Sequence, residues 1–180
     1  LNFELYTVPD TEEPYIPAPR DVIVALKSRG EPVFELLENL EEIASHIPTI
    51  PSSKKSLSHS THDVCFYGAV EAAYKCMQAI GGKIIFLLST IPSCGANALY
   101  ENMEKRKAAG KFVGNSDAAP LKEALMCAKE NYTDLGVKCA LSHVSVDGYV
   151  ATQSEYCDLA TLNDICRTSS GYLYHLPDFN

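Results

Sequence analysis

No apolar run in this 180-residue chain is longer than five residues, the length of 84–88. Crossing a hydrocarbon core takes roughly 18–20, so no apolar run of the chain reads as a membrane-spanning helix. Basic residues are also few, with 15 Lys and Arg against 23 Asp and Glu and a formal net charge of −8. Phosphate recognition needs clustered cations, and the densest cluster is Lys105, Arg106 and Lys107 with Lys111. That balance disfavours a nucleic-acid partner, although a local basic patch remains. The chain has seven cysteines, at 65, 76, 94, 127, 139, 157 and 166, and none stands at C-x-x-C spacing. An odd, scattered set signals neither a zinc knuckle nor a disulfide framework, and reads as reduced thiols of a cytosolic protein. Neither G-x-G-x-x-G nor G-x-x-x-x-G-K-[ST] occurs, which speaks against a nucleotide cradle. There is no basic leader with an apolar core behind it, and the chain opens on Leu1 rather than Met, so the expectation is a fragment cut from a longer protein.

What the chain does have is 46% hydrophobic and only 21% charged residues, enough for a real core and too apolar for disorder. Residues 2–8 suit a short strand, after which Pro9, Pro14, Pro17 and Pro19 impose a loop. Residues 21–26 allow either a short buried strand or a helical turn. Over 28–47, Val33, Leu36, Leu37, Leu40, Ile43, Ala44 and Ile47 recur at three- and four-residue spacing among glutamates, which predicts one amphipathic helix. Ser28 and Glu31 have capping-box spacing for it, and Pro32 lies early enough to cost little. Pro48 and Pro51 stop that helix. Residues 48–62 read as a flexible polar loop, and so do 110–120.

A largely buried helix is expected from about Asp63, closed by Gly81 and Gly82. The continuous run 83–89 behind those glycines suits a central parallel strand covered on both faces. Farther on, the pattern predicts a short charged helix over 98–109, an amphipathic helix carrying Leu121, Leu125, Ala128, Tyr132 and Leu135, and a strand over 143–152. A helix over 159–168 with Asp158 as its N-cap and a strand over 171–176 complete it. Strands alternating with helices imply an α/β fold with a doubly wound, mostly parallel sheet flanked by helices.

Three groups are candidates for chemistry. His59, His62 and Asp63 have ligand types suited to zinc, but they stand in a Ser-rich connector where a solvated loop is the simpler reading. His143 and His175 fall in predicted strands and read as structural. Cys94 follows the buried strand, at the sheet edge where α/β sites gather, and is the candidate nucleophile. A nucleophile elbow wants Gly two residues earlier, where Pro92 stands, and a plain turn cysteine competes with it.

An α/β chain of this pattern admits the von Willebrand A type of domain, yet there is no D-x-S-x-S, and the loop 90–95 after the central run has no Asp. Three stretches carry a closer resemblance. VPDTEEPYIPAPR (8–20) followed by DVIVAL (21–26), GAVEAAYKCMQAIGGKIIFLLSTIPSCGANAL (68–99) and SEYCDLATLNDICRTSSGYLYHLPDF (154–179) stand in order along the chain. Together they resemble the trunk domain of the Sec twenty-four family, the cargo-selecting subunit of the COPII coat's inner shell. The last stretch is the most specific, being similar to that family's S-x-Y-x-D-L-A-x-L segment. The partner inner-coat subunit, the Sec twenty-three family, shares the domain type and closes differently. The chain departs from the family pattern in Lys105–Lys107, where an acidic stretch is expected, and at Cys94 and Asn97.

The resemblance implies residues 1–180 as a partial trunk domain, without its N-terminal strands, of a larger multidomain coat protein. It implies a non-enzymatic adaptor that pairs with the Sec twenty-three family subunit and reads sorting signals of membrane cargo leaving the endoplasmic reticulum. No catalytic residue and no metal or other cofactor is expected in this chain, zinc being expected only in an upstream module. The expected location is the cytoplasm, on COPII vesicles and the cytosolic face of the endoplasmic reticulum membrane. Loop 93–102 is the candidate contact surface, through Ser93, Asn97, Tyr100 and Asn102, because its Pro, Gly and Asn residues suit exposed backbone on a fixed scaffold. A metal-dependent ligand-binding domain of the von Willebrand A type and a small hydrolase using Cys94 stand as the alternatives from other classes.

Overall fold

The computed structural model describes residues 6–16, 22–46, 63–99, 129–152, 157–177 and 179. Among these the element order is α1 (Leu26–Glu38), α2 (Leu40–His46), α3 (Phe66–Met77), β1 (Gly82–Leu88), α4 (Glu130–Leu141), β2 (Val144–Val150), α5 (Leu159–Thr168) and β3 (Leu173–His175). The strands form one sheet in the order β1-β2-β3, and both pairs are parallel. Gly82 pairs in register with Val144 and Leu88 with Val150, while Tyr149 faces Tyr174. The result is the expected α/β architecture, a parallel sheet flanked by helices.

The middle strand is β2, however, and β1 lies at the edge of the described sheet. Burial along β1 alternates, so Ile84, Phe86 and Leu88 are buried while Ile85 and Leu87 remain 60% and 82% exposed. The expectation of a central strand covered on both faces is therefore corrected. A run without polar residues promises burial on both sides, but the described helices cover one side only. Helix α3 packs on β1, α4 and α5 pack on β2, and α4 lies against α5. Their apolar faces meet in one cluster that holds Phe66, Phe86, Tyr132, Leu135, Val146, Leu162 and Ile165. Each fully buried Leu or Ile there contributes about 1.5–3 kcal/mol over an exposed one.

Glycines let these layers close. A Cβ on Gly148 would fall 2.2 Å from Phe86 Cζ and 2.6 Å from Leu173 Cδ1, so the neighbouring strands' side chains occupy that space. A Cβ on Gly136 would lie 1.8 Å from Thr168 Oγ1 and 2.9 Å from the Ile165 carbonyl oxygen, and its absence lets α4 and α5 touch through their backbones.

The N-terminal third differs most from the sequence pattern. Instead of one helix there are two, interrupted at Asn39, whose side-chain amide donates to the Glu35 carbonyl at 2.7 Å while its backbone N–H donates to the same oxygen at 3.2 Å. Asparagine competes with the helical ladder in this way. The first helix starts at Leu26, so Ser28 is no N-cap, and its hydroxyl donates instead to the Ala25 carbonyl at 3.3 Å. Pro32 then falls inside the helix, where its missing N–H removes a ladder bond, contrary to the expected early position. Val22 and Ile23 stand exposed, which rules out the buried strand considered for 21–26. Tyr6–Val8 are not strand, and the rest of the predicted strand 2–8 lies outside the described residues, as do loops 48–62 and 110–120 and nearly all of helix 98–109. Phe34, Leu37 and Leu40 are half or more exposed, so α1 and α2 stay apart from the core cluster.

The C-terminal half follows the pattern except in α4, which begins only at Glu130 after an extended Lys129, so the expected helix through Ala128 does not run on to Tyr132 and Leu135, and 121–128 lie outside the described residues. Helix α5 spans the predicted residues, and its N-cap Asp158 accepts from the Thr161 N–H at 3.4 Å and from the Thr161 hydroxyl at 3.0 Å. Gly81, in the left-handed region at φ 71°, donates its N–H to the Met77 carbonyl at 2.8 Å and closes α3 as expected.

Candidate functional site

The loop that leaves the C-terminal end of β1 is built on buried anchors. Ile91, Pro92 and Leu99 are buried, and the Leu99 N–H donates to the Pro92 carbonyl at 2.9 Å, closing the loop on itself. Between them Gly95 and Asn97 take left-handed backbone, at φ 75° and 55°. Glycine adopts that region at no cost, and asparagine is among the few other residues that tolerate it.

Three distant segments hold the loop. Ser93 is half-buried and works as a latch: its hydroxyl accepts from the Val64 N–H at 2.9 Å and donates to Asp63 Oδ1 at 3.1 Å, and its own N–H donates to the Val64 carbonyl at 3.0 Å. Thr11 reaches in from the proline-punctuated segment, its hydroxyl accepting from the Ala96 N–H at 3.2 Å. Tyr132 of α4, fully buried, donates its hydroxyl to the Asn97 carbonyl at 3.2 Å. The segment that carries Thr11 is itself fixed, since Asp10 Oδ1 accepts from the N–H groups of Glu12 and Glu13 at 2.9 and 3.0 Å and Lys75 donates to the Pro14 carbonyl at 3.0 Å. Those two N–H groups, Glu13 first, hold the Asp10 carboxyl below its ordinary pKa.

Of the four candidate contact residues, Ser93 and Asn97 lie on this loop, both half-buried, and Tyr100 and Asn102 are outside the described residues. His59, His62, Lys105, Arg106, Lys107 and Lys111 are outside them as well. Asp63 is exposed and engaged by Ser93. Among the described residues, no group of three or more His, Cys, Asp or Glu side chains is arranged to hold a metal ion.

Cys94 sits where the sequence placed it, but its surroundings oppose nucleophilic chemistry. Burial first, then the neighbouring Cys65 and Asp63, push its thiol above the ordinary cysteine pKa, which disfavours the thiolate. His143 is exposed in the turn before β2, at φ 56°, and not in the strand where it was expected. It therefore stands at the opposite end of the sheet from Cys94, a strand's length of about 20 Å away. Its carbonyl accepts from the Gly82 N–H at 2.9 Å, a structural role through the backbone. His175 is in β3, as expected, and exposed.

Sequence reasoning passed over the pair on the exposed face of the sheet. Lys83 of β1 and Asp147 of β2 form an ion pair, and Asp147 also accepts from the Tyr172 N–H at 3.0 Å. Beside it the rings of Tyr149 and Tyr174 stack at 4.9 Å. Alternation along β2 was the available signal, since residues 145, 147 and 149 share one face.

The geometry is that of a parallel-sheet domain presenting a braced loop, and comparison with known proteins gives it a family. The model of the Sec23/Sec24 trunk domain matches residues 2–180. This chain belongs to that family. A protein transport protein sec24 of Aspergillus terreus is 29% identical over 180 residues, covering 99% of this chain and 18% of the relative. One of Aspergillus clavatus is 30% identical over 177 residues, covering 98% and 17%. Protein transport protein SEC24-2 of Saccharomyces uvarum is 27% identical over 179 residues, covering 99% and 17%. The chain thus spans less than a fifth of the length of these curated relatives. Among solved structures, the crystal structure of the human COPII-coat protein Sec24c matches with a TM-score of 0.72 at 18% identity, over 96% of this chain and 21% of that one. That likeness bears on the fold, and it agrees with the parallel sheet and flanking helices of this trunk domain. No helix among the described residues is long and apolar enough to cross a membrane.

Proposed function

We propose that this trunk domain works as a non-enzymatic adaptor within a COPII inner coat, pairing with a Sec twenty-three family subunit and supporting selection of membrane cargo at the cytosolic face of the endoplasmic reticulum. The observation that carries the reading is the trunk-family match over residues 2–180. The loop after β1 supports it physically. A loop braced by Thr11, Val64 and Tyr132 loses little entropy when a partner binds, and pre-ordered surfaces bind better for that reason. In this reading Ser93 positions the loop from within and Asn97 touches the partner, with Tyr100 and Asn102 as the further contact candidates. Recognition needs no chemical step and no cofactor in this chain. The raised pKa of the Cys94 thiol accords with that.

Co-purification with a Sec twenty-three family subunit tests the proposal. A complex that co-elutes on size exclusion is expected, weakened by Asn97→Ala together with Tyr100→Ala. A folded chain that never co-elutes with the subunit would overturn the adaptor reading. Binding unaffected by the double substitution would move the contact off this loop.

A further inference from the structure

Where α3 begins and the loop after β1 turns, two half-buried cysteines meet. The N–H groups of Ser93 and Cys94 both donate to the Val64 carbonyl, at 3.0 and 3.3 Å, so the chain on either side of that peptide is drawn against the loop. The Cys65 sulfur fits against Gly95 so closely that a Cβ there would come within 2.3 Å of it. Residues 65 and 94 are thereby brought close together, and Cys65 is among the neighbours that raise the Cys94 thiol pKa. A disulfide needs about 4.4–6.8 Å between α-carbons, and backbone bonding on one flank with sulfur packing on the other draws the two residues toward that approach.

We propose that Cys65 and Cys94 form a reversible disulfide on exposure to hydrogen peroxide, cross-linking the start of α3 to the loop after β1. In the first step one thiolate attacks the peroxide, the O–O bond breaks, and water leaves behind a sulfenic acid. In the second, the neighbouring thiol attacks that sulfur, the S–O bond breaks, and a second water is released as the S–S bond forms. The two thiols are oxidised by two electrons and one peroxide is reduced to two waters. A small-molecule thiol in excess reverses the bond by exchange.

Selectivity comes from burial elsewhere in the molecule. Cys139, Cys157 and Cys166 lie in the core, where burial pushes their thiols up to about 11, 11 and 12 and keeps them protonated and screened from peroxide. The functional consequence rests on the reading of the loop as a partner-facing surface. A bond from Cys94 to the base of α3 fixes the loop beyond what the Ser93 latch provides, so oxidation changes partner affinity through the same surface.

The test treats the fully reduced chain with equimolar hydrogen peroxide, in native buffer and in concentrated urea, and maps cross-linked peptides without reduction. The expected result is a Cys65–Cys94 cross-link several-fold enriched in native buffer over urea, where the seven thiols pair without preference. Cys65→Ser and Cys94→Ser should each abolish it and leave a sulfenic acid that dimedone traps. An equal share in both solvents, or preferential pairing of either residue with Cys76, overturns the disulfide whatever happens to partner binding. Size-exclusion binding to the Sec twenty-three family subunit is then compared for oxidised and reduced chain. A cross-link that forms but leaves binding unchanged overturns the regulatory role while leaving the bond itself in place.

Discussion

Tyr132, buried in the first turn of α4, donates its hydroxyl to the carbonyl oxygen of Asn97, a residue in left-handed backbone on the loop after β1. One side chain thus ties the hydrophobic core to the loop proposed as the contact surface. Tyr132→Phe keeps the ring contacts with Phe66 and Tyr67 and removes this bond. A loss of about 0.5–1.5 kcal/mol is expected, the usual net worth of such a bond. The midpoint of urea unfolding measures it, and a loss confined to stability, with partner binding intact, would show that the loop does not depend on this anchor.

The approach of α4 to α5 at Gly136 predicts a larger effect. Gly136→Ala places a methyl group where Thr168 Oγ1 and the Ile165 carbonyl stand. Helix propensity favours alanine by nearly 1 kcal/mol, but overpacking costs about 1–3 kcal/mol, so net destabilisation is expected. Adding Thr168→Ala should recover part of the loss and not all, because the Ile165 carbonyl cannot be trimmed away. Chemical denaturation of the single and double variants measures both, and a stabilised single variant would show that the helices separate freely.

How far these relationships were legible in sequence follows from their range. Helix α5 could be read to its ends because its signals are local: Asp158 at the cap and apolar spacing through Leu162, Ile165 and Cys166. Position of the candidate loop was legible too, since it follows an apolar run, but its bracing was not. Thr11 meets Ala96 from 85 residues away and Tyr132 meets Asn97 from 35, and neither spacing leaves a trace in local pattern. The run behind Gly82 promised burial on both faces, yet a strand's neighbours, and not its own composition, decide how many faces are covered. Asn39 is the converse case, where a single side chain outcompeted an otherwise continuous helical period.

Removing the carboxylate of Asp158 should unseat the start of α5. Asp158→Ala is expected to cost about 0.5–2 kcal/mol, the range for N-cap truncation, and Asp158→Asn much less, because the amide oxygen still accepts from Thr161. Thermal and urea unfolding of the two variants separate the cap from the charge. Equal losses in both would mean that charge, and not hydrogen bonding, is what Asp158 supplies.

The Lys83–Asp147 pair on the open sheet face gives stability a pH dependence of definite sign. The Lys83 ammonium, then the Tyr172 N–H, hold the Asp147 carboxyl below its ordinary pKa, and Asp147 in turn raises that of Lys83. A depressed carboxyl contributes stability above its unfolded pKa, about 3.9, and loses it as pH falls through the lower folded value. A raised amine contributes below its unfolded pKa, about 10.4, and loses it as pH rises through the higher folded value. Melting temperatures of the wild type and Asp147→Asn should therefore differ most between those limits and converge as pH drops below 4. A gap that stays constant down to the acid limit would mean that the carboxylate's charge is irrelevant there.

Thiol reactivity should divide the cysteines by burial. Cys166 is pushed up to about 12 and Cys139 to about 11 by burial, and Cys157 to about 11 by burial against a weaker opposing hydrogen bond from Thr152. At pH 8 a thiol of pKa 11 is ionised about a thousandfold less than it is un-ionised, and alkylation proceeds through the thiolate. Iodoacetamide labelling of the native chain, read by peptide mass spectrometry, should therefore leave these three thiols unmodified while the half-buried Cys65 and Cys76 react. Cys94 should lag behind them, since burial, Cys65 and Asp63 all raise its pKa. Labelling in urea should equalise all of them, because only the fold distinguishes one cysteine from another. If Cys94 instead proves the fastest of the native thiols, its environment activates it, and the choice of adaptor over Cys94 chemistry would have to be reversed.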